Sequence, residues 1–137
     1  MPLSAADRIE ILDLIARYNH ALEIDRDADA WVGTFTEDAV FVTGNGAGGT
    51  GTAGLRAFFR GNKTPEERRL MRHWVNNVVI DGDGDEARAT CYLLLLDVSG
   101  APRVEGTGIY KDRLRRVDGA WRFAERQISI DQYPRAI

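Results

Sequence analysis

Apolar positions recur at helical spacing over the first third of the chain and switch to strict alternation after Arg69, so helices precede a run of strands. Ser4-Ala5-Ala6-Asp7 reads as a capping box with Asp in place of Glu. It starts a long first helix carrying Ile11, Leu14, Ile15, Tyr18 and Leu22. EIDRDAD, Glu23 to Asp29, is a charged break, and Trp31 and Phe35, four apart, predict a short second helix entered from Asp27 or Asp29. Asp38 to Thr43 reads as a strand and the glycine-rich Gly44 to Gly54 as a flexible loop, with Thr52 capping a third helix that carries Leu55, Phe58 and Phe59. After a loop at Gly61 to Glu67, four strands follow: Arg69 to Ile80, Glu86 to Val98, Arg103 to Val117 and Ala120 to Tyr133. The turns between them are DGDGD, SGAP and Asp118-Gly119, the last favouring a tight primed hairpin. This order predicts an α+β fold with helices gathered on one face of a mainly antiparallel sheet. A long curved sheet over helices encloses a cone whose mouth is a natural ligand site.

In RLMRHWVNNVVI, alternation puts Met71, His73, Val75, Asn77 and Val79 on one face and Leu70, Arg72, Trp74, Asn76, Val78 and Ile80 on the other. Both faces carry apolar groups, so material is expected on both sides of this strand. An imidazole and an amide among aliphatic side chains is the mixture of an apolar pocket with a few aimed polar groups, although a satisfied structural histidine is an equally good reading of the strand alone.

Composition narrows the class. The 137 residues suit one domain spanning 1–137, and 44% hydrophobic with 28% charged residues is ordinary for a globular protein. A net charge of −3 and the lack of a binding motif argue against nucleic acid. Cys91, the single cysteine, excludes an intramolecular disulfide and any multi-cysteine metal site. No apolar run approaches the roughly 18 residues that span a bilayer, so a cytoplasmic protein without membrane contact is expected.

Most motifs dissolve on inspection. Gly46 to Gly51 satisfies G-x-G-x-x-G, but antiparallel hairpins follow it where a dinucleotide site needs a parallel βαβ unit, and no lysine completes a phosphate loop. Asp81 to Asp85 begins like a calcium loop but has Glu86 at the glycine position and Tyr92 at the bidentate glutamate position. The histidines His20 and His73 lie in different elements, so neither a metal nor another cofactor is expected. Ser4, Ser99 and Ser129 occupy a cap, a turn and a strand rather than a nucleophile elbow, and nothing in sequence activates Cys91. Tyr18, Asp25, His73 and Arg126 remain as candidates for acid–base work. Asp25 either points into the cavity or caps the second helix, and Arg126 is either a counter-ion in the pocket or a snorkelling edge residue. Trp31, Phe35, Phe58, Met71, Val75, Cys91, Tyr92, Tyr110 and Ile128 are the expected pocket lining.

Taken together, Tyr18, Asp25, Trp31, FTEDAVF from Phe35 to Phe41, RHWVNNVVI and the closing GAWRFAERQI resemble the SnoaL-like branch of the nuclear transport factor 2-like superfamily. The resemblance covers almost the whole chain and rests on spaced residues rather than one diagnostic motif. It implies a cone of curved antiparallel or mixed sheet closed by three N-terminal helices, often dimeric through the sheet, around a small-molecule ligand. The family includes scytalone dehydratase, hexachlorocyclohexane dehydrochlorinase and polyketide cyclases. By resemblance, Asp25 and His73 match an Asp–His acid–base pair of the dehydratase and dehydrochlorinase. Arg126 likewise matches an arginine that helps a leaving anion in the dehydrochlorinase, while Cys91 or Tyr92 stands where the dehydratase has a second histidine. The implied activity is a cofactor-independent lyase, dehydratase or cyclase acting on a small apolar or cyclic substrate. A non-catalytic ligand-binding or dimer-scaffold domain and a small subunit of an aromatic-ring dioxygenase are the alternatives.

Overall fold

A computed structural model describes residues 1–132. The predicted end of the last strand at Tyr133 lies outside the described residues. Ser4 caps α1 (Ala5–His20) through a complete capping box with Asp7, and Ile11, Leu14, Ile15 and Tyr18 form its buried stripe. The charged break predicted at Glu23 to Asp29 is instead a widened continuation of the helix. Ala21–Asp25 forms one π-helical turn, ended by Arg26 in the left-handed region at φ 50°. Asp27 caps α2 (Ala28–Val32), its side chain accepting from the Asp29 amide.

β1 (Phe35–Val42) follows, then β2 (Gly48–Thr50) and α3 (Gly51–Asn62). The flexible glycine loop of the sequence reading is therefore largely ordered backbone: Gly48 pairs with Val42 and Gly49 with Phe41. A Cβ on Gly48 would sit 1.8 Å from the Phe41 carbonyl oxygen, and one on Gly49 would sit 2.5 Å from that of Gly54. Glycine is present here to let strand, strand and helix approach closely. Thr50, not Thr52, occupies the cap position of α3, without a side-chain bond. The loop predicted at Gly61 to Glu67 also contains structure. Thr64 and Glu67 form a second capping box around α4 (Pro65–Arg69), with Pro65 in the first turn.

The meander β3 (Met71–Asp83), β4 (Glu86–Asp97), β5 (Arg103–Val117) and β6 (Ala120–Ile130) forms as expected. Asp118 and Gly119 both take positive φ, as the primed turn requires. β1 joins the far side of β6 in parallel, giving a six-stranded, curved, unclosed mixed sheet in the order β2-β1-β6-β5-β4-β3. Strict alternation along β3 fails at one point. Asn77 adopts φ 53° and the register slips between Asn76 and Val79, a bulge that exchanges the two faces. Met71, His73 and Val75 face the helices before it, whereas Val78 and the buried Ile80 do so after it; Val79 is 61% exposed. α1 lies across β6 and β3, and α3 across β1, so the helices cover the concave face of the sheet.

The close backbone approach at β2 makes a direct prediction. Gly48→Ala should destabilise the protein by about 2 kcal/mol or more, because backbone rather than a movable side chain must give way. Gly61→Ala, in open space on α3, should be neutral or stabilising by about 0.5 kcal/mol. Urea denaturation of the two variants checks the contrast.

Candidate active site

Tyr18 from α1, Leu22 and Glu23 from the π-turn, Trp31 from α2, Phe41 from β1, Phe58 from α3, Arg68 from α4, Met71 and His73 from β3 and Ile128 from β6 surround one cavity of about 90 Å³. Thr43, Asn62 and Lys63 complete its lining. A larger groove of about 330 Å³ lies between Asp81, Asp83, Glu86, Arg88, Arg113 and Arg115, but its charged lining contains no imidazole or aromatic group. The smaller cavity joins a carboxylate and an imidazole to an aromatic wall, whereas a groove of about 240 Å³ that His73 also lines, with Leu12, Ile15, His20, Val75 and Val78, contains no carboxylate.

At its centre His73 is held by Glu23, not by Asp25. The Glu23 Oε1 accepts the His73 backbone N–H at 2.8 Å and also contacts the imidazole Nδ1. The two side chains are only 7% and 16% exposed respectively. Asp25 is exposed at the last position of the π-turn and does not line the cavity. The cause is helical geometry. A straight α-helix would carry the buried stripe of Tyr18 and Leu22 on to Asp25, seven residues after Tyr18. A turn closed by i→i+5 bonds instead brings Glu23, five residues after Tyr18, to the cavity side. With Nδ1 engaged by a carboxylate, Nε2 is the ring nitrogen without a hydrogen-bond partner among the described residues, which is the arrangement of an oriented base.

Tyr18 reaches the cavity as expected. Burial pushes its phenol up to about 12, so at neutral pH it is an un-ionised hydroxyl able to donate. Trp31, Phe58, Met71 and Ile128 also line the cavity, as the sequence suggested. Phe35, Cys91 and Tyr110 do not: all three are buried in the layer around it. Val75 contacts the core beside His73 without reaching the cavity, and Tyr92 is 53% exposed on the opposite face of the sheet.

Arg126 is neither a pocket counter-ion nor an edge residue. It is fully buried, its Nε donates to Asp112 Oδ1 at 3.0 Å, and its guanidinium lies 3.8 Å from the Tyr110 ring centroid and 4.3 Å from those of Tyr18 and Phe123. Burial is the largest influence and opposes its charge, but Asp112 together with Tyr110, Tyr18 and Cys91 outweighs it and raises the pKa. The same burial pushes the Asp112 carboxyl up, with Arg126 pulling against it. Arg126 therefore supports the underside of the Tyr18 ring without touching the cavity. Burial also lifts the Cys91 thiol to about 11, so it is an inert core group rather than a nucleophile.

Leu22, Glu23, Phe41, Thr43, Asn62, Lys63 and Arg68 line the cavity without being foreseen from the sequence, and Glu23 and Arg68 are the buried ionisable groups among them. Glu23 directly follows Leu22, the last apolar position of the first helix, and was read as part of a charged break. Arg68 sits on α4, whose Thr64-Pro65-Glu66-Glu67 start is a legible capping box. Among the described residues no group of three or more His, Cys, Asp and Glu side chains is placed to hold a metal ion, and no helix is long and apolar enough to cross a membrane.

Two predictions follow from the buried groups. Asp112→Asn should cost about 3–5 kcal/mol by stranding the Arg126 charge, whereas Asp112→Leu combined with Arg126→Met should return to within about 1 kcal/mol of the parent; calorimetry on the three proteins distinguishes them. The phenol of Tyr18 titrates higher in the folded state than its ordinary 10.0. Its contribution to stability is thus complete below pH 10 and lost as the pH rises toward 12. Denaturation midpoints between pH 8 and 12 should fall less steeply in Tyr18→Phe than in the parent.

Comparisons with known proteins fit this geometry. A solved structure from Nostoc punctiforme, of unknown function and cystatin-like fold, is 30% identical, with 96% of each chain covered and a TM-score of 0.86. A candidate aromatic ring hydroxylase from Novosphingobium aromaticivorans is 29% identical over 94% of this chain and 92% of its own, with a TM-score of 0.77. A candidate scytalone dehydratase from the same organism shares the fold at 19% identity, over 96% of this chain and 90% of its own, with a TM-score of 0.78. Among curated proteins none matches. The SnoaL-like domain model matches residues 4–127, so the chain belongs to the SnoaL-like family.

Proposed function

We propose that the protein is a cofactor-independent enzyme, a lyase, dehydratase or cyclase, that removes a proton from a small cyclic substrate held in the cavity. The observation that carries this reading is the Glu23 carboxylate on the Nδ1 side of His73, in a cavity walled on one side by Leu22, Trp31, Phe41, Phe58, Met71 and Ile128. In that arrangement His73 Nε2 takes the proton, and Glu23 fixes the tautomer and stabilises the imidazolium that forms. The Tyr18 hydroxyl donates to the oxygen on which negative charge develops. Homodimerisation through the outer sheet face is part of the proposal, supported by the exposure of Trp74, Val79 and Tyr92 there. A second reading, a small subunit of an aromatic-ring dioxygenase, draws on the likeness to the candidate ring hydroxylase. It would require a larger partner chain to copurify from the native host.

The test is turnover of a panel of cyclic β-hydroxy ketones, whose dehydration creates an absorbing enone. Glu23→Gln and His73→Ala should each lower kcat/KM by about 10²- to 10⁴-fold, the range of a lost general base, while Asp25→Asn should leave it within twofold. Full turnover in Glu23→Gln, or loss in Asp25→Asn, would refute the assignment of the dyad.

A further inference from the structure

We infer that the ligand of this cavity carries a carboxylate, received by Arg68. This deepens the reading of the same cavity given above and rests on its being a ligand site.

Arg68 is only 4% exposed, yet it has no carboxylate within ion-pair distance among the described residues. Its Nη2 donates to the Phe59 carbonyl at 2.7 Å, and its guanidinium lies 4.0 Å from the Phe59 ring centroid. Its Nε is buried with no partner. One carbonyl and one ring face answer only part of a five-donor cation, and its Nε has neither a protein partner nor access to water, so the charge is held against a cost of desolvation. Burial accordingly pulls its pKa below the ordinary arginine value. The sequence elsewhere treats a buried cation differently: Arg126, fully buried, is given Asp112. The carboxylate that does line the cavity, Glu23, is engaged by His73. Lys63, at the end of α3, lines the same cavity and adds a second positive charge.

An incoming carboxylate would complete this set. Guanidinium recognises a planar two-oxygen anion better than a neutral oxygen, and the low-dielectric surroundings enlarge the difference. The apolar lining of Trp31, Phe41, Phe58, Met71 and Ile128 fits a hydrocarbon ring attached to that group. A carboxylate on Arg68 would also act as an electrostatic anchor, fixing the ring relative to the His73 imidazole.

The experiment is a binding titration by amide chemical shift or calorimetry at pH 7, using acetate, benzoate and 2-naphthoate with the corresponding neutral alcohols. The proposal expects at least one carboxylate to bind the cavity at least tenfold more tightly than its alcohol. That preference should fall to within threefold in Arg68→Gln and persist in Arg68→Lys. Should Arg68→Gln fail to fold, Arg68→Lys and the paired ligands in the parent protein still decide the matter. Equal binding of acids and alcohols, a preference that survives in Arg68→Gln, or no binding of any carboxylate overturns the proposal. Binding and turnover in the parent protein keep this result separate from the dyad: anion binding without turnover would refute the catalytic reading alone, and turnover of neutral substrates with no carboxylate preference would refute this one alone.

Discussion

The carboxylate of Glu23 ties the helical layer to the sheet at the point where the cavity opens. One oxygen meets both the backbone amide and the imidazole of His73, fifty residues further along the chain. Each contact orders a different thing: the amide bond pins the start of β3 against the π-turn, and the ring contact fixes which imidazole nitrogen is left for other work. Charge-assisted bonds of this kind are about twice as strong as neutral ones. The aromatic nest behind it, where Trp31, Phe35, Phe41 and Phe123 gather around or beside Tyr18 at centroid distances of 4.9 to 6.4 Å, supplies the rigid wall.

Two local departures from regular geometry make that meeting possible. The π-turn widens the end of the first helix and turns Glu23 inward. The bulge at Asn77 lets His73 and Ile80 share the concave face although their spacing is odd. Neither departure stands alone in function. Without the first, the helical stripe would carry Asp25 rather than Glu23 to the cavity side; without the second, Ile80 would be turned toward solvent and the far end of β3 would lose its contact with the helices.

What the sequence made legible follows from periodicity. The first helix, the four-strand meander and the Asp118-Gly119 turn rest on spacing and turn chemistry, and these survive in the structure within a few residues. Tyr18 and His73 were legible because each sits on a face that simple repetition predicts. Asp25 was misplaced for the same reason that Tyr18 was found: the rule for a straight helix continues through residues where the helix is not straight. The glycine run was misread because composition reports backbone freedom, whereas Gly48 and Gly49 are required by close contact across the chain. The exposure of Tyr92 and the enclosure of Cys91 follow strand parity, but which parity faces the cavity depends on the register between strands, and that is fixed by long-range pairing.

The two buried arginines show where pattern ends and chemistry begins. Arg68 and Arg126 are 4% and 0% exposed, both lie against aromatic rings, and both retain a guanidinium nitrogen with no protein partner. The difference is the counter-ion. Asp112 stands across the strand pair from Arg126 in direct register, so the charge is answered within the sheet and the pair is structural. Arg68 comes from a five-residue helix and makes no ion pair among the described residues, and its surroundings are the ones a ligand would share. Burial alone therefore does not separate a structural cation from a functional one. What separates them is whether the protein itself neutralises the charge or leaves that to the molecule it binds.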